Sequence, residues 1–420
     1  MTNATKRGTP GRDVFLAEYL GQLAQREPLA ATTQWARLFE GFRVAWQINT
    51  CRHLLREAKR WFWAPTETRA QVHNSEGLLA QSLADWEEAI RCHQQALNLF
   101  YQAGHRPGIA YALNNLGLTY QGMGKPEKVV EYCEASLQLS QELGDQANVA
   151  RAMGNLSLAY RQLGQLDEAM AYAEQSLAHF RQLGDRYHEG RTLNNLGNIC
   201  RQKGDSAQAI SFFQQDLDIC RELGDRHGMA QTLNNLGLAY YDLRHWIEAT
   251  ESFRESLALF QEMGDVYSQR HVLNNLGMIY DAQEAWRDAL TCYEQALELC
   301  RELGDRRGEA SILGNMAEAA GHVRGHGEAI RLYQQAIALR EASGDSLAAL
   351  RARVNLCAHL LRRGESLSLE PQERITLQRT FAEALEQAAQ LGAEEELARL
   401  MQLQPQVEAL TTPFAQATGR

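Results

Sequence analysis

The chain has 420 residues, 45% of them hydrophobic and 22% charged, with only eight prolines and a formal net charge of −10. That balance excludes disordered, collagen-like and membrane classes, and the length exceeds what one compact core organises, so several domains or an open-ended repeat array is expected. The charge is uneven, because residues 1–65 carry ten Lys/Arg against five Asp/Glu, an excess of +5 that leaves −15 for the remainder.

In chain order, residues 1–12 read as a flexible tail, and the start MTNATKRGTPGRD lacks the apolar run of a secretory signal. No stretch approaches the roughly 20 apolar residues that span a bilayer, so no membrane is expected and a cytoplasmic location is the simplest account. Residues 13–65 are helical in pattern, divided by Pro28, and form an N-terminal helical cap or small module. Within it, CRHLLREAKRWFW sets Arg52, Arg56 and Lys59 on one face beside Trp61 and Trp63. A solvated basic face with aromatics packed on the next element is favoured there over nucleic-acid contact.

From residue 66 onwards the sequence repeats. Sliding it by 40 residues lays Gly-Asp on Gly-Asp at 144/145, 184/185, 224/225, 264/265, 304/305 and 344/345. The same shift aligns Gly77, Gly117, Gly197, Gly237 and Gly277, with Ser157 and Ala317 standing in, and Ala89, Ala169, Ala209, Ala249, Ala289 and Ala329. Small residues in fixed register predict two helices that cross closely in every unit. In residues 186–225, Leu193, Leu196, Ile199 and Cys200 fall at helical spacing before Gly204, and Ala209, Ile210, Phe213, Leu217 and Cys220 do so before Gly224. The glycines suit left-handed helix ends, and Asp185 and Asp225 suit the caps of the helices that follow.

Each unit is therefore an antiparallel helix pair that buries its apolar stripe only by stacking on its neighbours. Seven full units are expected over residues 66–345. Residues 346–363 give one further first helix, and GESLSLEP then breaks the register before helices at about 371–391 and 393–403. Residues 346–403 thus read as a degenerate repeat with a C-terminal helical cap, and 404–420 as a flexible tail.

The motif Leu116-Gly117-Leu118-Thr119-Tyr120, followed by the aligned alanines, resembles the tetratricopeptide repeat, here six residues longer than the usual 34. The run from Gly184 to Asn198 is most similar to the Pins/LGN family of polarity adaptors and its bacterial relatives. The resemblance implies an all-α superhelical solenoid with helical caps, the first helix of each unit lining the concave face.

Asparagines recur on the polar side of those first helices at 115, 155, 195, 235, 275, 315 and 355, preceded by a second asparagine at 114, 194, 234 and 274. Arginine stands four residues ahead at 151, 191 and 351, on the same helix face. From Arg191 that face collects Asn195, Asn198 and Gln202. An amide both donates and accepts, matching an extended peptide backbone, and arginine adds a planar fork for a carboxylate. The expected groove is Arg151, Asn155, Arg191, Asn194, Asn195, Asn198, Gln202, Asn234, Asn235, Asn274 and Asn275, and the resemblance implies that Arg151, Asn155, Arg191 and Asn195 among them grip partner peptides. The competing reading is that the asparagines bond between adjacent helices and fix repeat geometry.

The function expected is a non-catalytic adaptor for a protein or peptide segment, acidic or carboxylate-bearing. The alternatives are a peptide-sensing regulator and a sensor subunit of a separately encoded effector enzyme, with self-association left open. Nothing points to a small-molecule substrate, since GxxxxGK[ST] and G-x-S-x-G are absent. No cofactor or metal is expected either: the eight cysteines form no C-x-x-C pair, and His322 and His326 lack further ligands nearby in sequence.

Overall fold

A computed structural model describes residues 28–44, 48–59, 65–366 and 369–411; Trp61, Trp63 and, of the two expected tails, residues 1–12 and 412–420 lie outside them. The described residues form nineteen α-helices and no strand. Two compact units result, Met1–Ile219 and Cys220–Arg420.

The first unit opens with α1 (Pro28–Val44) and α2 (Ile48–Lys59). Trp35 and Phe39 stack at 5.1 Å between ring centres, and the Trp35 indole N–H donates to the Leu54 carbonyl. Helix pairs follow: α3 (Thr66–Ser82) with α4 (Trp86–Ala103), α5 (Arg106–Gly122) with α6 (Pro126–Leu143), α7 (Gln146–Gln162) with α8 (Leu166–Leu183), and α9 (Arg186–Gln202) with α10 (Ser206–Leu223). The division between the units falls within α10. Beyond it come α11 (Arg226–Asp242) with α12 (Trp246–Met263), α13 (Val266–Ala282) with α14 (Trp286–Leu303), and α15 (Arg306–Arg324) with α16 (His326–Ala342). Helices α17 (Ser346–Ser366), α18 (Pro371–Leu391) and α19 (Glu394–Thr411) close the second unit.

Local chemistry sets these boundaries. At Gly184 the chain turns left-handed, φ 66°, where a side chain would be strained, and Asp185 then accepts the backbone N–H of His188 to start α9. Asp145, Asp225, Asp265 and Asp305 cap α7, α11, α13 and α15 in the same way. Within a pair, glycine admits a large side chain from the second helix: a Cβ at Gly237 would sit 2.8 Å from the Phe253 ring. Where Ser157 replaces that glycine, its partner sixteen residues on is only Ala173, fully buried.

One boundary differs from the sequence expectation. Helix α19 does not give way to a tail at 404 but runs through Pro405 to Thr411. Leu400 and Val407, on either side of the proline, are both buried in the core that also holds Leu360 and Leu377. That packing holds the helix across the hydrogen bond proline removes.

Candidate peptide-binding face

First helices of successive repeats pack on each other within each unit, as α5 does with α3 and α7, and α13 with α11 and α15. Second helices of successive repeats keep their backbones farther apart, though long side chains bridge them, as Arg181 of α8 does to Gln215 of α10. The first helices therefore meet along a seam, and the doubled asparagines lie on it.

Along that seam four asparagine amides donate to an asparagine of the preceding repeat, which in three of the four bonds is the first of a doublet. Asn115 Nδ2 meets Asn74 Oδ1 at 2.9 Å and Asn155 Nδ2 meets Asn114 Oδ1 at 3.0 Å. In the second unit Asn275 donates to Asn234 and Asn315 to Asn274, both at 2.9 Å. Forty-one residues separate donor from acceptor, one more than the repeat, which explains why the asparagine is doubled. Repeat three has Gly154 where the acceptor belongs, so Asn195 donates instead to the Ser157 hydroxyl at 2.7 Å, and its own Oδ1 stays buried without a partner.

Repeat four carries a further polar group that the sequence pattern did not single out. Asn194 donates to Asp216 Oδ2 at 2.9 Å, and Asn198 donates back to the Asn194 side chain at 3.1 Å. Asp216 is only 3% exposed, in a column that elsewhere holds Ser136, Ser176, Ser256 or alanine. Those serines donate to first-helix carbonyls of Ala110, Ala150 and Ala230. The change from serine or alanine to aspartate at one register position was the available signal.

The arginines stand at the edge of the seam. Arg151 donates to the Tyr111 hydroxyl, its guanidinium 5.4 Å from that ring, and Arg191 lies 5.9 Å from the Tyr187 ring. Among the described residues neither has a carboxylate partner, whereas Arg351, third in that column, is bound to Glu396 at 2.6 Å. Between them lies His188, whose protonation is suppressed first by burial and further by Arg151 and Arg191. Gln202 is exposed at the end of α9, and Asn234, Asn235, Asn274 and Asn275 are half-buried in the second unit.

A family model described as Tetratricopeptide repeat matches residues 68–132, 130–182, 188–262 and 268–342. The chain belongs to the tetratricopeptide repeat family. No curated protein matches it. Among solved structures it is similar to the apo form of RapI, with 13% identity and a TM-score of 0.63 over 86% of this chain and 98% of that one. It is also similar to a Rap protein complexed with Competence and Sporulation Factor, at 14% identity and TM-score 0.56 over 90% and 99% of the two chains. A third is the signal transduction ATPase with a tetratricopeptide repeat sensor from Pyrococcus horikoshii, at 14% identity and TM-score 0.59 over 82% of this chain and 55% of that one. At these identities the likeness is one of fold.

Elsewhere in this tetratricopeptide array the one group of side chains close enough to share a metal ion, among the described residues, is internally paired. Glu76, Glu88 and Cys92 bring ligand atoms within 4.8 Å of one another, but Lys59 is bound to Glu76 and Arg91 to Glu88. His322 stacks on Trp286 at 4.0 Å, while His326 lies 3.4 Å from His359. On α2, Arg52 is exposed, and Lys59 of the basic face expected there is spent on Glu76. No described helix is long and apolar enough to cross a membrane.

Proposed function

We propose that the first-helix face holds an extended segment of a partner protein or peptide, in the manner of the adaptor family that the repeats resemble, and that the chain performs no catalysis of its own. The observation that carries this reading is the pair Arg151 and Arg191, poised on tyrosines with no carboxylate partner among the described residues of an acidic chain. Such a pair favours a ligand bearing a carboxylate, which arginine binds bidentately. Each seam bond uses one of an amide's two N–H donors, so the other is available to a peptide carbonyl. On this reading Asn155 and Asn195 serve both the scaffold and the ligand in the first unit, as Asn275 does in the second, while Asn194 and Asn198 are engaged with Asp216 and with each other and Gln202 lies at the margin.

A peptide-sensing regulator uses the same face, and the shared fold with a Rap protein solved with Competence and Sporulation Factor supports keeping it as the second reading. Both are tested by purifying the full chain from its native host beside the Arg151→Ala/Arg191→Ala variant. The proposal expects a co-purifying protein or peptide that the variant loses. Identical co-purification by both chains would refute the assignment of this face.

A further inference from the structure

In the second unit a cleft of ≈ 510 Å³ opens between α14, α15 and α16. Its floor is Leu297, Leu313, Met316 and Leu332, each no more than 7% exposed. That size lies within the roughly 300–1,000 Å³ over which proteins enclose ligands.

Two cleft-lining residues, Glu294 and Leu332, stand at register positions that contact a first-helix tyrosine in other repeats. In repeats two and three a first-helix tyrosine stacks on a second-helix tyrosine of the same repeat, Tyr120 on Tyr132 and Tyr160 on Tyr172, each at 5.4 Å. The first of these rings also reaches the previous repeat's second helix. Tyr160 donates to Glu134 at 3.2 Å, and the equivalent Tyr280 accepts from Arg254 at 2.7 Å. In repeat seven those two positions are Ala320 and Leu332, and Glu294 stands where Glu134 and Arg254 do. With no ring at 320, Glu294 is met by Arg324 from the end of α15.

The rim has an unbalanced charge. Arg301 pairs with Glu309, Arg324 with Glu294 and Arg331 with Glu328. Glu298 and Glu302, one turn apart on α14 and both lining the cleft, have no cationic partner among the described residues. Like charges at that spacing repel, and an added cation relieves them.

We propose that this cleft is a docking site, separate from the first-helix face, for a partner segment that presents an aromatic side chain next to lysine or arginine. The ring occupies the place that tyrosine fills in other repeats, and the cation faces Glu298 and Glu302. The site stands whether or not the first-helix face binds peptide.

The test is methyl NMR of the full chain, titrated with the capped peptide Lys-Tyr-Lys-Lys and with its Lys-Ala-Lys-Lys and Glu-Tyr-Glu-Glu counterparts. Saturable shifts at Leu313, Met316 and Leu332 are expected from the first, at least about tenfold weaker binding from the alanine peptide, and none from the acidic one. Ala320→Tyr should abolish the shifts while keeping the helical circular dichroism. Glu298→Gln with Glu302→Gln should weaken binding severalfold, whereas charge reversal at exposed Glu251 and Glu255 on α12 should not. If Ala320→Tyr fails to fold, the paired glutamine variant carries the test. Absence of shifts at about 10 mM peptide, or equal binding of the tyrosine and alanine peptides, would overturn the proposal. So would light scattering that shows self-association abolished by the same variants, which would assign the cleft to a second copy.

Discussion

Arg151 and Asn155 sit one helical turn apart, yet the structure gives them different work. Asn155 bonds across the seam to Asn114, so Asn155→Ala should lower stability by about 1 kcal/mol, and Asn275→Ala, which frees Asn234, by a similar amount. Arg151→Ala and Arg191→Ala should each change stability by less than about 0.5 kcal/mol while weakening the partner. Urea unfolding of the four variants separates the roles, and equal losses in all four would show that the arginines too belong to the scaffold. A second residue-scale outcome concerns Asp281, whose carboxyl burial pushes up to about 6 although the Tyr293 hydroxyl donates to it at 2.9 Å. The folded chain then holds a proton that the unfolded chain has lost, so this contribution is full below about pH 4 and disappears as pH rises through 6. Asp281→Asn should flatten that fall and gain about 1–2 kcal/mol at pH 7.5, allowing for partial solvent screening. A wild-type and variant pair with parallel stability curves between pH 4.5 and 7.5 would contradict it. The asparagine columns were plain in the sequence and bonding between adjacent helices was one of their two readings, but the pairing of asparagine with asparagine was not, because donor and acceptor belong to different columns offset by a single residue. Asp216 was missed because periodicity marks what repeats, and its chemistry lies in the one repeat that departs.

At the scale of helices, the glycine column sets how closely the two members of a pair approach. Gly237→Ala would drive a methyl into the Phe253 ring, at a cost of about 1–3 kcal/mol for overpacking, whereas Ser157→Ala, facing Ala173, loses chiefly its bonds to Ala169 and Asn195. The short turns inside each pair show a similar contrast. Gly124, Gly164 and Gly204 take positive φ there, but Ala84, Arg244 and Glu284 do so with side chains, at φ 55°, 59° and 58°. Replacing these three by glycine should raise the melting temperature, since each left-handed side-chain residue costs about 1–2 kcal/mol, partly offset by glycine's entropy. An unchanged or lower melting temperature would show that other contacts hold those turns. Helix ends at Gly-Asp were legible because glycine and aspartate act locally. The end of α19 was not, because Leu400 and Val407 hold it through contacts with residues distant in sequence.

Over the molecule as a whole, stability in a repeat array is close to a sum of neighbour terms, and the last faces need covering. Helices α18 and α19 supply this for α17: Leu377, Phe381, Ala384 and Leu400 share a core with Val354, Leu360 and Leu361. Arg351 and Arg353 add ion pairs to Glu396 and Glu383. Deleting residues 371–420 should expose that apolar surface, seen as increased dye binding and loss of the monodisperse species on gel filtration. A truncated chain that stays monodisperse with an unchanged melting profile would show that the last helices are dispensable. The helical solenoid itself was readable from the forty-residue register, since every unit solves the same packing problem with the same residue types.

The seam also bears on how such a gene can change its length. Excising codons 146–185 would join Asp145 to Arg186, putting one capping aspartate in place of another ahead of His188. It would also bring Asn195 to the position of Asn155, opposite Asn114, the amide acceptor it now lacks. Recombination between neighbouring repeats therefore yields proteins whose new junctions are as well bonded as the old, so length can drift by whole modules while selection acts on the few side chains that make one module unlike another.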